Sequence, residues 1–284
     1  DLALALCLDV QQLRPELQLL IMSATLDTAS LAASLDAPVI QSEGRSYPVT
    51  VEYISPDNQP IAIQLAKAVQ LALQKHQGNI LVFLPGQSEI NQTARLLLQQ
   101  GIPPAVQLHA LLGSLTLAQQ QAAIAAPPVG QRKVVLSTNL AETSLTIEGI
   151  NVVIDSGLCR QSRFNPRQGI SLLETTAISQ AAAIQRSGRA GRLAAGHCYR
   201  LDSAERWQRR ERFTAAEIET ADLTAMRLEI AAWGCKVTDL QWLTPPPPAH
   251  LAVAEQLLQQ LGFLDNKGHI TALGRQAHRL GTEP

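Results

Sequence analysis

The sequence has few cysteines and no long uninterrupted apolar run, and each shortage argues against a class of protein. The four cysteines are scattered and none forms a Cys-x-x-Cys pair, which argues against a disulfide framework or a metal site. No apolar run approaches the length of a membrane span, and no signal-peptide pattern stands at the start. We therefore expect a cytoplasmic protein with no membrane partner.

Two dipeptides typical of nucleotide hydrolases are also absent. No glycine is followed by lysine, so the chain has no phosphate-binding P-loop, and no Asp-Glu pair is present to hold Mg²⁺. The first residue is Asp1 rather than Met, which favours a piece of a longer polypeptide. At 284 residues, with 46% hydrophobic and 17% charged residues, the chain is long enough for about two domains with real cores.

Positive charge is concentrated in one region. The whole chain has a net charge of −1, yet residues 160–212 contain eleven arginines against four acids. A basic region on an otherwise acidic molecule indicates a localised phosphate-bearing partner rather than general coating of nucleic acid.

From residue 59 to residue 201, buried strand patterns alternate with helical periodicity. This predicts a doubly wound α/β domain with a largely parallel sheet, whose carboxyl edge would carry the polar motifs. The predicted strands are Asn79–Leu84, Ala105–His109, Lys133–Thr138, Val152–Asp155 and His197–Leu201, with a further buried strand at Leu17–Met22. The predicted helices are Ile61–His76, Ser88–Gln100, Thr116–Ala125 and Ile178–Gln185.

The pattern changes after about Ala204. Helices are predicted over Leu223–Trp233 and Leu251–Leu261, with a four-proline linker between them. A hairpin follows over Phe263–Thr271, and the chain is again helical from Leu273. Two helices and a small hairpin predict a winged-helix module.

The stretch Gln185–Arg192 is the strongest single motif. It places three arginines, a carboxamide and two glycines in eight residues. Guanidinium forks fit phosphate oxygens, and glycine lets backbone approach them closely, so the motif predicts an anion site. A solvated basic helix end is the alternative.

A second polar stretch, Ser137–Gly149, follows the predicted strand at Lys133–Thr138. It supplies many side-chain and backbone donors, although an ordinary capping loop is the alternative. Two shorter motifs accompany it, Ser23–Thr25 and Phe83–Ile90.

Taken in this order, the motifs resemble those of superfamily 2 helicases of the DEAH-box group, most closely the bacterial HrpB type. The resemblance covers nearly the whole chain and includes Asp155–Leu158, Phe164–Arg167 and Ala232–Gly234. It implies a RecA-like fold for the α/β part. Residues 1–40 would be a remnant of a first RecA-like domain, 41–204 the second RecA-like domain, and 205–284 the winged helix and the start of a ratchet region.

The resemblance also implies roles for individual residues. Gln185 would position the attacking water, while Arg189 and Arg192 would be arginine fingers at the γ-phosphate. Positions near the ribose and the metal side of ATP would be Thr146, Glu148 and Gly149. ATP and Mg²⁺ would be bound mostly by a preceding domain, so this chain alone should be inactive.

The same resemblance implies contacts to single-stranded RNA and to the preceding domain. The sugar-phosphate backbone would be contacted by Gly86, Thr138 and Asn139, and by Arg163 and Arg167 on a wedge hairpin. Coupling between domains would involve Ser23 and Thr25. The implied function is an ATP-dependent RNA helicase that couples hydrolysis at an interdomain cleft to translocation. Two alternatives stay open, a non-catalytic nucleic-acid-binding adaptor and a DNA substrate.

Overall fold

Six parallel strands form the main sheet of the protein. The computed structural model describes residues 1–22, 28–41, 47–143 and 145–281. The six strands are β1 (Val49–Tyr53), β2 (Asn79–Phe83), β3 (Val106–Leu111), β4 (Arg132–Ser137), β5 (Ile150–Asp155) and β8 (Gly196–Arg200). The strand order is β1-β8-β5-β2-β4-β3, and every neighbouring pair is parallel. A separate hairpin consists of β6 (Leu158–Asn165) and β7 (Ile170–Ala177).

The described part of the chain contains twelve α-helices. The longer helices of the sheet region are α3 (Ile61–Lys75), α4 (Gln87–Gln100), α5 (Leu117–Ile124) and α7 (Gln180–Gly188). The remaining helices are α1 (Leu2–Leu13), α2 (Thr28–Leu35), α6 (Leu140–Thr143), α8 (Ala204–Gln208), α9 (Glu217–Thr220), α10 (Thr224–Trp233), α11 (Pro248–Gln260) and α12 (Ala272–Leu280).

Both faces of the main sheet are buried, which is why its central strands are continuously apolar. Successive side chains of a strand point to opposite faces. Ile80 accordingly packs into one core with Leu65 of α3, while Leu81 packs into the other with Ala123 of α5. Each fully buried Leu or Ile contributes about 1.5–3 kcal/mol to stability. The predicted α/β fold with a parallel sheet is confirmed.

The five strands predicted between residues 79 and 201 are all present, and no strand end differs from its predicted position by more than two residues. The predicted strand at Leu17–Met22 is wrong, because the structure shows no strand there and Leu20 and Met22 are 78% and 82% exposed. A buried strand needs neighbours to pair with, and no described strand pairs with this segment. Its apolar side chains are therefore left uncovered.

The winged-helix region is built around a small apolar core. Leu228 of α10 and Leu258 of α11 pack with Leu264, which pairs with Ile270 in an antiparallel bridge. Pro248 is the first residue of α11. The N–H of a first helical residue has no acceptor inside the helix, so a proline, which lacks this N–H, costs nothing there. The predicted winged helix is confirmed, although α11 begins three residues earlier than predicted.

The chain divides into two compact units. One comprises residues 40–161 and 175–214 and contains the main sheet. The other comprises residues 1–39, 162–174 and 215–284 and contains the winged helix. No helix in the described ranges is long and apolar enough to cross a bilayer.

Candidate functional site

Three predicted nucleic-acid contacts lie at neighbouring carboxyl ends of the main sheet. Gly86 follows β2, and Thr138 and Asn139 follow β4. These strands pair with Phe83 opposite Ser137, and Leu84 N–H donates to Ser137 O at 2.8 Å. Parallel strands that pair end at the same edge, so the sheet brings the three residues to one side. Asn139 is exposed, Thr138 is half-buried and Gly86 is buried.

The side chain of Arg160 lies directly over Gly86. A Cβ atom at this position would come within 2.9 Å of the guanidinium of Arg160. That guanidinium also pairs with Glu89 of α4, at 3.3 Å between Arg160 Nη2 and Glu89 Oε1. A positive charge therefore stands beside the exposed backbone at the start of α4, where helix N–H groups favour anions.

The polar stretch after β4 does not stay at the carboxyl edge. Thr138 and Asn139 lie there, but Thr146, Glu148 and Gly149 directly precede β5 and lie at its amino end. The expectation that all polar motifs share the carboxyl edge is wrong. A parallel sheet returns the chain to the amino edge between successive strands, and residues 138–149 form that return.

Gly149 is held in a conformation that other residues rarely adopt. Its φ is +69°, and a Cβ atom there would lie 2.8 Å from Asn79 Nδ2. Asn79 fixes this turn, since its Nδ2 donates to Glu148 O at 3.2 Å and its main-chain N–H donates to Gly149 O at 3.3 Å. Thr146 and Glu148 are exposed on the anchored segment.

Arg189 is buried and bonded to the backbone of the 138–149 stretch. Its Nε donates to Glu142 O at 2.9 Å and its Nη1 to Leu145 O at 2.6 Å, while Nη2 also donates to Glu142 O. Burial, and then the like charge of Arg192, lower its pKa below the usual arginine value. In this structure Arg189 therefore stabilises the conformation of the 138–149 stretch.

Arg192 is exposed and donates from Nη1 to Thr146 Oγ1 at 2.8 Å. The structure thus brings two predicted nucleotide contacts, Arg192 and Thr146, into direct contact. Gln185 lies half-buried in α7, in the same compact unit. The guanidinium of Arg192 presents further N–H donors toward solvent, as an anion-binding group must.

Arg186 is a structural residue of this site, although it lies in the motif that was predicted to bind an anion. Only 1% of its side chain is exposed, and its Nε and Nη1 donate to Glu142 Oε2 and Asp155 Oδ1, each at 2.9 Å. Nη1 also donates to Leu158 O at 3.1 Å, and the guanidinium lies 4.8 Å from the ring centre of Phe83. Burial by itself would lower the pKa of Arg186, but Asp155 and Glu142 outweigh burial and raise it.

The two hairpin arginines are exposed. Arg163 lies on β6, and Arg167 lies in the turn, where its N–H donates to Asn165 Oδ1 at 3.0 Å. Both belong to the compact unit that contains the winged helix, whereas Gly86 and Thr138 belong to the other unit. Neither guanidinium has a hydrogen bond or ion pair to another described residue.

The predicted coupling residues Ser23 and Thr25 lie outside the described residues. Within the described ranges, no group of three or more His, Cys, Asp or Glu side chains is placed to hold a metal ion.

Comparisons with known proteins match both parts of the chain. A model of the helicase conserved C-terminal domain matches residues 63–194, and a model of the winged helix of the helicase associated domain (HA2) matches residues 254–277. The chain is 45% identical to the ATP-dependent RNA helicase HrpB of Escherichia coli strain K12, over 100% of this chain and 35% of that protein. It is 38% identical to the pre-mRNA-splicing factor ATP-dependent RNA helicase prp22 of Schizosaccharomyces pombe, over 95% of this chain and 24% of that protein.

Two crystal structures of E. coli HrpB superpose on the whole chain at 45% identity. The structure of the DExH-box NTPase HrpB gives a TM-score of 0.91 over 35% of its chain, and that of the DEAH/RHA helicase HrpB gives 0.93 over 36%. The chain spans 35% and 24% of the lengths of the two curated relatives. The chain therefore contains the conserved C-terminal helicase domain and the HA2 winged helix, and over its whole length it is similar to DEAH-box helicases of the HrpB type.

Proposed function

We propose that this chain is the C-terminal helicase region of an ATP-dependent RNA helicase. The longer protein would hydrolyse nucleotide in a cleft between a preceding RecA-like domain and this one, and would move along single-stranded RNA. One observation carries the proposal. Arg192 bonds directly to Thr146, and Arg189 bonds to the backbone of the same 138–149 stretch, so the groups that we assign to the phosphate and to the ribose are linked by hydrogen bonds.

The resemblance to DEAH-box helicases implies the residue roles, and the exposure and bonding of the two arginines support them. Arg192 is exposed and has N–H donors to spare, so we assign it the first contact to the γ-phosphate. Arg189 would join it as a second finger, in addition to its role in holding the loop. Gln185 would orient the attacking water. The ribose of ATP and the side of its phosphates that binds the metal would be contacted by the hydroxyl of Thr146, the carboxylate of Glu148 and the turn at Gly149.

The residues present are suited to bind ATP, because the exposed guanidinium of Arg192 lies beside the hydroxyl of Thr146 and both can donate hydrogen bonds to phosphate oxygens. Mg²⁺, when bound, neutralises the charge that develops on the transferred phosphoryl group. The described acids form no metal cluster of their own, so we propose that the preceding domain supplies the ligands. The absence of Gly-Lys and Asp-Glu from this sequence leads us to propose that the chain alone hydrolyses no ATP.

Contacts to nucleic acid would be made to the backbone. Gly86, Thr138 and Asn139 offer polar groups at the carboxyl edge, and Arg163 and Arg167 offer exposed charge on the hairpin. None of these contacts reads a base, so binding would be independent of sequence, as translocation requires.

We assign residues 1–40 to the end of the first RecA-like domain, 41–204 to the second and 205–284 to the winged helix and the start of a ratchet region. The unpaired, exposed segment at Leu17–Met22 supports the first assignment, since its side chains would be covered by strands of another sheet. We further propose that Ser23 and Thr25 couple the two RecA-like domains, and that the protein acts in the cytoplasm.

The deciding experiment measures ATP hydrolysis by the longer protein with and without single-stranded RNA. We expect stimulation by RNA, and loss of hydrolysis in Arg192→Ala. Hydrolysis that survives Arg192→Ala and Arg189→Ala would refute the assignment. RNA binding without hydrolysis would favour a non-catalytic adaptor. Equal stimulation by RNA and DNA of the same sequence would show that the 2′-hydroxyl is not read.

A further inference from the structure

A buried lysine lies on the face of the main sheet that packs against α5. Lys133 is the second residue of β4 and is 1% exposed. Because strand side chains alternate, it shares its face with Val135, which packs in the core beneath α5. An ammonium in such a place is strongly unfavourable unless every N–H finds an acceptor.

The C-terminus of α5 supplies those acceptors. Lys133 Nζ donates to the carbonyl oxygens of Ala123 at 2.8 Å, Ile124 at 3.0 Å and Ala125 at 2.5 Å. An ammonium has three N–H groups, so all are used. The carbonyl end of a helix carries partial negative charge and stabilises a cation at this point.

The same helix end is joined to the segment before β5. Glu148 N–H donates to Ile124 O at 3.4 Å, so one carbonyl serves both Lys133 and Glu148. Asn79 makes a second link, because its Oδ1 accepts from the main-chain N–H of Lys133 at 2.9 Å and its Nδ2 donates to Glu148 O. Lys133 is therefore connected to the Thr146–Gly149 segment through Ile124 and through Asn79.

We propose that Lys133 is a positioning residue for nucleotide binding. Its ammonium fixes the end of α5, and through Ile124 and Asn79 it holds Thr146–Gly149 in the geometry that faces the nucleotide. This inference rests on the proposed function, which assigns that segment to the ribose and metal side of ATP. The sequence signal was a charged residue inside a predicted buried strand.

The ammonium is also placed to respond to pH. Burial lowers the pKa of Lys133 to about 8, and Glu148 opposes the shift. Among the described residues, His109 of β3 also interacts electrostatically with Lys133, and α5 contributes no charged side chain. Since the folded pKa lies below the ordinary lysine value, the ammonium loses its proton as pH rises through about 8. Lys133 then loses its charge and one N–H donor, so its hydrogen bonds fix the end of α5, and with it the Thr146–Gly149 segment, less firmly.

The test is the ATPase of the full protein, with kcat and KM for ATP measured separately. Lys133→Met keeps the apolar stem and removes the three donors. We expect KM for ATP to rise about tenfold, with kcat at saturation changed much less, because a misplaced contact weakens binding before chemistry. Lys75→Met is the matched control, since Lys75 is an exposed lysine at the end of α3.

The pH profile of the unaltered protein gives a second readout that needs no substitution. We expect its KM to rise as pH passes about 8 and the KM of Lys133→Met to show no such rise. An equal KM in Lys133→Met and Lys75→Met, or a flat KM in the unaltered protein between about pH 7 and pH 9, overturns this inference alone. An unaltered protein that hydrolyses no ATP overturns the proposed function and this inference with it.

Discussion

Arg186 Nη1 lies 2.9 Å from Asp155 Oδ1, and neither side chain is more than 1% exposed. The same guanidinium bonds Glu142 through Nε, so one cation ties the end of β5 to α6. The arginines of the Gln185–Arg192 motif therefore have two different roles. Arg186 holds the domain together, while Arg192 remains available to a ligand.

Replacing Arg186 should destabilise the sheet domain severely. In Arg186→Met, two carboxylates stay behind without their cation, and breaking a buried pair in this way costs about 3–5 kcal/mol. Arg186→Lys should also be destabilised, because an ammonium lacks the fork that reaches both carboxylates. Thermal unfolding monitored by circular dichroism measures the effect. Arg95→Met, at an exposed arginine of α4, should unfold like the unaltered protein; an equal shift in both variants would contradict the prediction.

Arg189 and Arg192 should respond differently to alanine substitution. Arg189→Ala removes charged donors from the carbonyls of Glu142 and Leu145 and should lower stability by about 1–3 kcal/mol, together with the ATPase rate. Arg192→Ala should leave the unfolding temperature unchanged and lower kcat by about a hundredfold or more. Unfolding and steady-state kinetics on the same preparations separate the two. A large stability loss in Arg192→Ala would be inconsistent with its exposed position.

The hairpin arginines should contribute to RNA affinity through charge alone. Arg163→Ala and Arg167→Ala should each reduce the slope of log affinity against log salt by about 0.7, the value for one phosphate of a single strand. The loss should be the same for homopolymers of different base. Fluorescence anisotropy at several salt concentrations measures it, with Arg275→Ala of α12 as the exposed control. A base-dependent loss would mean that the hairpin reads sequence.

Acid should destabilise the sheet domain through His76. Its pKa is lowered by burial and then by the neighbouring ring of His197, whose centroid lies 4.1 Å away; Lys75 and Arg132 add to the shift and Glu52 opposes it. The unfolded chain therefore binds the proton more readily, so stability is full above about pH 6.5 and falls as pH drops below it.

His76→Gln should show a smaller acid-induced drop in unfolding temperature than the unaltered protein. His269→Asn, at an exposed histidine of the winged-helix region, is the control and should keep the full drop. Identical acid profiles for the unaltered protein and His76→Gln would exclude His76 as the source.

Local patterns predicted the strands well because a run such as Asn79–Leu84 must be buried on both faces to be stable. The same pattern gave a wrong prediction at Leu17–Met22. An apolar run indicates that a segment can be buried in a sheet, but it does not identify the strands that would cover it. Strand pairing depends on partners distant in sequence.

The site was predictable only in part for a related reason. The arginine motif indicated anion binding, yet Arg186 bonds acids 31 and 44 residues away, and no local pattern reveals such a pairing. The resemblance to helicases identified Arg192 and Thr146 as neighbours of one ligand, and the structure places them in contact. It did not indicate that Arg189 would bond to loop carbonyls.

Residues 138–149 run from the carboxyl end of β4 to the amino end of β5 as one short length of chain. Arg189 bonds to the middle of this stretch through the carbonyl oxygens of Glu142 and Leu145. In the proposed function one end of the stretch would contact the polynucleotide and the other end the nucleotide, so no separate connection between the two sites would be required.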